Sequence, residues 1–267
     1  MKIGFIGAGN MGGAILKGHA PAAAAKGNQI FVYDIKEETR NSLEKDFAAV
    51  IACGSEQELA EKSDIVFLGL KPNLFDKLLP RIASVHRKDQ IIVSMAAGVS
   101  IAFLEVRLGQ ERKIVRIMPN LPAQVGEAMI AVCRNRNVDD DSFVQVLDIL
   151  NTVGKAQEIH EDLIHCVIGV SGSSPAYTYM YIDALIQAAI DNGMEPKKAK
   201  IFAAQAVLGA AKMVLENDIS PEQLRINVCS PGGTTIEAVN KLFENGFEES
   251  VKQGFQAAVD KSKAMTK

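Results

Sequence analysis

The run Cys229-Ser230-Pro231-Gly232-Gly233-Thr234-Thr235-Ile236-Glu237 joins a flexible turn to a helix start, an arrangement suited to holding a small anion. Gly232 and Gly233 let the backbone curl, and the Thr-x-x-Glu spacing of Thr234 and Glu237 predicts a capping box with Thr234 as the N-cap. The Thr234 hydroxyl would then be used locally, leaving Thr235 free beside unpaired amides at the positive end of a helix dipole. Such a place can hold a small carboxylate and touch a neighbouring polar atom. The same residues also suit a plain glycine-rich turn with an ordinary cap. A second chemical signal stands at the other end of the chain. The apolar run Lys2 to Ile6 is followed by Gly7-Ala8-Gly9-Asn10-Met11-Gly12, with the G-x-G-x-x-G spacing of a dinucleotide site. The first glycine makes the turn, the second admits a pyrophosphate, and the third lets helix pack on strand. A second strand, Gln29 to Tyr33, ends in Asp34, where a carboxylate can accept from a ribose 2′-hydroxyl.

These groups need a scaffold. After the first two strands, β-rich runs recur at Ala49 to Ile51, Ile65 to Leu70, Gln90 to Ser94, Lys113 to Met118 and Met129 to Cys133. Helical patterns lie between them at Glu37 to Asp46, Glu56 to Lys62, Leu74 to Ser84 and Ile101 to Leu108. The alternation predicts an α/β fold, a Rossmann-type doubly wound and mostly parallel sheet, over residues 1–160. Ligands then sit beyond the carboxyl ends of the strands. The stretches of interest are Gly7 to Gly12, Asp34, Gly69-Leu70-Lys71-Pro72, Met95-Ala96-Ala97 and Pro119 to Pro122.

Residues 161–267 read as an all-helical domain. Pro175 behind Ser173-Ser174 predicts a helix running to Asn192-Gly193, Pro196 opens a second one reaching Glu216, and Ser220-Pro221-Glu222-Gln223 is another capping box. The two long helices are apolar on nearly every side, for example through Tyr179, Met180, Leu185, Ile201, Phe202 and Leu208. A helix of that kind must be covered all round, and a domain of this size cannot wrap both. A second copy of the chain is therefore expected to supply cover, making a homo-oligomer that is at least a dimer through the C-terminal helices. An internal helix of a compact bundle is the alternative.

Composition narrows the partners. The chain has 267 residues, 48% of them hydrophobic, and a formal net charge of −3, with no basic block of the kind that binds nucleic acid. Tryptophan is absent and aromatics are 6%, which argues against a stacking platform for sugars or bases. Cys53, Cys133, Cys166 and Cys229 are scattered without ligand spacing, so neither a disulfide framework nor a metal site is expected. The first strand starts at residue 2, leaving no room for a signal peptide, and no apolar run approaches the roughly 20 residues of a membrane span. A cytoplasmic protein acting on a small molecule is expected.

Together the two ends suggest a nicotinamide cofactor reducing a small carboxylate. No strong acid, base or metal cluster marks the chemistry, and His19, His86, His160 and His165 are isolated. An already activated electrophile such as a cyclic imine requires little beyond position and one proton, which suits a threonine without a partner base. Along its whole length the chain resembles the pyrroline-5-carboxylate reductases. The resemblance is carried by Phe5 to Gly12, Leu70-Lys71-Pro72, Ser94 to Val99, Met118-Pro119-Asn120, Gly172-Ser173-Ser174-Pro175-Ala176-Tyr177 and Ser230-Pro231-Gly232-Gly233-Thr234-Thr235.

The resemblance implies hydride transfer from NADH or NADPH to the imine carbon of 1-pyrroline-5-carboxylate, giving L-proline. It implies that Ser230, Gly232, Gly233, Thr234 and Thr235 hold the substrate carboxylate and that Thr235 is catalytic, bonded to the ring nitrogen. Asn227 and Glu161 match further positions near the product. Cofactor contacts are implied for Ile6, Gly7, Ala8, Gly9, Asn10, Met11, Gly12, Asp34, Glu56, Gly69, Leu70, Lys71, Pro72, Met95, Ala96 and Ala97. Glu56 stands where relatives commonly carry an asparagine, and Leu121 where they carry a threonine. Asp34 favours NAD and Lys36 pulls towards NADP, so the sequence leaves that choice open. Two other readings are a 3-hydroxyacid dehydrogenase and a non-enzymatic nicotinamide sensor. The former uses a lysine in its first long C-terminal helix, and Ser171 to Asp191 contains none.

Overall fold

The structure is a computed structural model that describes residues 1–266. Eight strands form one sheet: β1 (Lys2–Ile6), β2 (Gln29–Tyr33), β3 (Val50–Ala52), β4 (Ile65–Leu68), β5 (Ile91–Ser94), β6 (Lys113–Met118), β7 (Ala128–Arg134) and β8 (Gly154–Glu158). Their order is β3-β2-β1-β4-β5-β6-β7-β8. Every pairing is parallel except β6 with β7. Helices α1 (Asn10–Ala25), α2 (Glu37–Asp46), α3 (Glu56–Lys62), α4 (Phe75–Ala83), α5 (Ile101–Leu108) and α6 (Asp140–Leu150) connect the strands. The expected α/β class is what the chain adopts.

Parallel strands are covered on both faces, so they read as continuous apolar runs whose alternate residues serve two cores. Ile3, Phe5, Ile65 and Phe67 enter one layer, while Ile6, Val66 and Leu68 enter the other. Phe5 and Phe67, on neighbouring strands, stack with ring centres 4.7 Å apart. The order reverses at β1 and β4, and the open crevice beyond their carboxyl ends is the place such sheets give to ligands.

Strand β8 is a difference from expectation. Its sequence, Gly-Lys-Ala-Gln-Glu, has no apolar alternation because it lies at the sheet edge with most side chains in solvent. The expected strand over Ile65 to Leu70 stops at Leu68, and its last rung is the Gly69 amide donating to the Ile6 carbonyl at 2.8 Å.

Seven more elements' worth of chain follows: α7 (Ile164–Val167), a π-turn Ile168–Gly172, α8 (Ser174–Asp191), α9 (Pro196–Glu216), α10 (Pro221–Val228), α11 (Thr234–Glu244) and α12 (Phe247–Ala264). Packing divides the chain into two compact units. One comprises residues 1–172 with 258–266, and the other residues 173–257. Residues just past 160 stay with the sheet because Ile164, Val167 and Ile168 pack into its second core layer. The last turns of α12 join the same unit: Ser262 Oγ lies 2.8 Å from His165 Nδ1. A β-carbon built on Gly98 would stand 2.6 Å from the Met265 carbonyl oxygen, so that glycine is where the returning chain presses against the sheet unit.

In the other unit α8 and α9 pack on each other, yet no side chain of α8 is buried and only Ala199 and Ala203 of α9 are. Met180 is 73% exposed and Ile201 and Phe202 are each 66% exposed. The internal-bundle alternative is therefore not what the chain forms. Among the described residues no helix is long and apolar enough to cross a membrane.

Candidate active site

The cofactor candidates come from five separate stretches of sequence. Within the sheet unit the fold gathers Ile6 to Gly12 after β1, Asp34 after β2, Glu56 opening α3, Gly69 to Pro72 after β4, and Met95 to Ala97 after β5. Backbone bonds knit these ends together. The Gly7 amide donates to Tyr33 O at 2.8 Å and the Met95 amide to Leu68 O at 3.3 Å.

The three glycines of the fingerprint have different physical reasons. A β-carbon on Gly7 would lie 2.6 Å from Gly69 O, and one on Gly12 would collide with Gly7 O. A β-carbon on Gly9 would meet no atom of the other described residues within 4 Å. Protein packing therefore explains the outer two but not the middle one, whose bareness leaves open space at the N-cap of α1. The first-turn amides of that 16-residue helix have no helical acceptor, and Gly9 offers no side chain to cap them. A pyrophosphate suits such a place chemically, so the residues present fit a dinucleotide.

Beside it opens a cavity of about 320 Å³, walled by Gly7, Asp34, Glu56, Leu70, Lys77 and Arg81 among others. Asp34 Oδ2 accepts from the Ala8 amide at 2.8 Å, and Oδ1 from the Lys36 amide at 3.0 Å. Glu56 pairs with Arg81 at 3.1 Å. Lys77 and Arg81 escaped the sequence reading; both lie on α4, one turn apart, and the helical pattern behind Pro72 is the signal that could have placed them.

The substrate candidates divide between the units. In the helical unit Gly232 has φ +68°, a conformation that glycine takes without strain, and the Gly233 amide donates to Ser230 O at 3.0 Å. That turn brings Ser230, Gly232 and Gly233 to the N-terminus of α11. The cap, however, is Gly233 and not Thr234, and no side chain caps the helix. The closed Ser230–Gly233 turn already sets helical geometry at Thr234, so the expected capping box with Glu237 does not form. Among the described residues neither threonine hydroxyl makes a hydrogen bond; Thr234 is exposed and Thr235 half-buried. At α10 the other expected cap does form, Ser220 Oγ accepting from the Gln223 amide at 3.1 Å. The Gln223 side chain does not reach back, but bonds Asn227 Oδ1 at 2.9 Å instead.

Glu161 belongs to the sheet unit. Its Oε1 accepts from Arg116 Nη1 at 2.7 Å and from the Ile101 amide at 2.9 Å. Arg116 itself was missed. It shares a strand face with Ile114 and Met118, is 3% exposed, and among the described residues its Nε and Nη2 have no partner. A charged residue at an inward position of an otherwise apolar strand was the available signal. Asn120 was singled out only as part of a motif. It donates to Ser171 O and accepts from the Met129 amide, both at 3.0 Å, tying the end of β6 to the π-turn and β7. Cys133, opposite Arg116 in the sheet, is inert, its thiol pushed up to about 12 by burial.

Comparison with known proteins agrees with this anatomy. The family description "Pyrroline-5-carboxylate reductase dimerisation" matches residues 161–265, and "NADP oxidoreductase coenzyme F420-dependent" matches residues 2–98. The pyrroline-5-carboxylate reductase of Escherichia coli (strain K12) is 46% identical over 266 residues, covering 100% of this chain and 98% of the relative. That of Methanosarcina acetivorans is 34% identical over the same coverage. Among solved structures, the Coxiella burnetii reductase superposes with a TM-score of 0.91 at 32% identity, over 99% of this chain and 98% of that one. The Plasmodium falciparum reductase, solved with NADP bound, gives 0.89 at 33% identity over 100% and 98%. With relatives this similar from end to end, the chain belongs to the pyrroline-5-carboxylate reductase family.

Proposed function

We propose that this chain is an NAD(P)H-dependent reductase of 1-pyrroline-5-carboxylate, forming L-proline in the last step of proline biosynthesis. The observation that carries the reading is the pairing, in one chain 46% identical throughout to the E. coli reductase, of a bare Gly9 cradle and an uncapped threonine-bearing helix start. When bound, the nicotinamide supplies hydride to the imine carbon. The residues of the chain do the rest. The loop Gly7 to Gly12 holds the pyrophosphate, Asp34 and Glu56 face the adenosine end, and Gly69 to Pro72 with Met95 to Ala97 support the remainder of the cofactor. Amides of the Ser230 to Thr235 turn take the substrate carboxylate, with Asn227 alongside. Thr235 donates to the ring nitrogen as it becomes an amine. Glu161 acts as a support, since its carboxylate is engaged by Arg116 and Ile101.

The family's dimerisation region spans most of the C-terminal part, and two copies pair through the apolar faces of α8 and α9. In this reading the dinucleotide-binding part runs over residues 1–160 and the substrate-binding and dimerisation part over residues 161–267. Absorbance at the reduced-nicotinamide band tests it directly: addition of pyrroline-5-carboxylate to enzyme with either reduced cofactor should cause oxidation. Cofactor binding with no oxidation by either would favour a sensor.

A further inference from the structure

We infer that the adenosine-ribose end of the site rejects a 2′-phosphate, so that this chain uses NADH in preference to NADPH, with Asp34 and Glu56 as the residues that decide it. The inference rests on the reductase reading above and concerns the same cofactor site.

The direction of the Asp34 side chain carries the argument. Its two oxygens are held by the Ala8 amide at 2.8 Å and the Lys36 amide at 3.0 Å, so the carboxylate is clamped against the phosphate-binding loop. A carboxylate offers about four acceptor sites, and two amide bonds leave roughly two for hydroxyl donors. A dinucleotide whose pyrophosphate sits at Gly9 places its ribose at the end of β2, within reach of those acceptors. A 2′-hydroxyl donates to them. A 2′-phosphate brings negative charge against a fixed carboxylate with no proton to share.

The surroundings offer a phosphate little help. An amide at the start of α2 could serve as an anion donor, but that of Lys36 is already spent on Asp34. Glu37 and Glu38 occupy the first turn and oppose further negative charge at the positive end of the helix. Across the cavity Glu56, whose side chain is 14% exposed, takes the Arg81 guanidinium at 3.1 Å, and Gln57 takes the same group at 3.3 Å. Arg40 lies 5.3 Å over the Tyr33 ring. Among the described residues its N–H donors stay unspent there, but Arg40 does not line the cavity, and the lysines left are Lys36 and Lys77. Each is a point charge on a flexible stem, without the rigid fork that recognises phosphate bidentately.

The test has a binding arm and a kinetic arm. Calorimetric titration of the full-length protein with ADP-ribose and with 2′-phospho-ADP-ribose should show at least roughly tenfold weaker binding of the latter, and kcat/KM should favour NADH over NADPH by a similar factor. Asp34→Asn, which keeps an oxygen for Ala8 but removes the charge, should narrow both ratios by roughly tenfold. Glu56→Gln, which leaves the phosphate-binding loop untouched, should narrow them by roughly threefold. Equal or tighter binding of the phosphorylated ligand, or ratios unmoved in both variants, overturns the inference and leaves the reductase reading standing. Binding of neither ligand removes the cofactor site itself, and the inference with it.

Discussion

A hydroxyl with no hydrogen-bond partner among the described residues is available for chemistry, and Thr235 is in that position at the second residue of α11. Thr235→Ala should lower kcat by roughly 10²-fold, the loss expected for one preorganised donor, while leaving cofactor affinity unchanged. Thr235→Ser should restore most of it. Full turnover in the alanine variant would remove the threonine from the mechanism. The glycines allow a sharper contrast. Gly9→Val adds atoms where no protein neighbour stands, so thermal stability should hold while cofactor affinity falls at least roughly tenfold. Gly12→Ala drives a methyl into the Gly7 carbonyl and should cost stability by roughly 1–3 kcal/mol in a denaturant titration. At this scale the sequence revealed the types and spacing of the reactive residues but not which way they point. The Thr-x-x-Glu spacing at 234–237 promised a cap that the preceding turn made unnecessary. Whether Asp34 faced the loop or solvent was likewise invisible until β2 and the loop were paired.

Elements were most legible where one local rule had no competitor. Pro196 at the first turn and an unbroken helical run fix α9 over Pro196–Glu216, the span expected from sequence. Strand β8 was illegible because an exposed edge strand does not need apolar residues, so periodicity had nothing to report. For α8 and α9 the sequence showed too much hydrophobicity and the structure shows where it lies: Met180, Ile201, Phe202 and Leu215 are all more than half exposed. Large apolar side chains exposed in such number along two helices are what an interface covers. Phe202→Glu should shift the sedimenting mass from oligomer towards monomer at micromolar concentration. A variant that sediments like the parent protein would show that this face is not where copies meet.

On the scale of the whole molecule, two buried histidines set a pH limit. His19 in α1 and His86 after α4 are 3% and 5% exposed, and burial lowers each from near 6.5 to about 4, aided by Lys26 for the first and by Arg112 and Arg87 for the second. Among the described residues His86 has no hydrogen-bond partner on either ring nitrogen. Between those pH values the unfolded chain binds more protons than the native one, so stability rises with pH across the window and is lost as pH falls. The loss is about 2 kcal/mol per histidine at pH 5. Urea titrations at pH 7.5 and pH 5 should show it, and His86→Phe should narrow the gap between them; a gap of unchanged width would assign the acid sensitivity elsewhere. Global class was legible in the alternation of strand and helix, because a parallel sheet leaves few other topologies open. Which segments pack with which was not, since Ile164 and Ser262 meet partners distant in sequence.

The return of the final turns of α12 to the sheet unit sets an order of assembly. During synthesis the nucleotide-binding half leaves the ribosome before α12, and it lacks its Ser262 and Met265 contacts until that helix has been made. Maturation of that half therefore waits for α12 to be made, and a gene cut between the two halves would yield an amino-terminal product that is missing a part of itself.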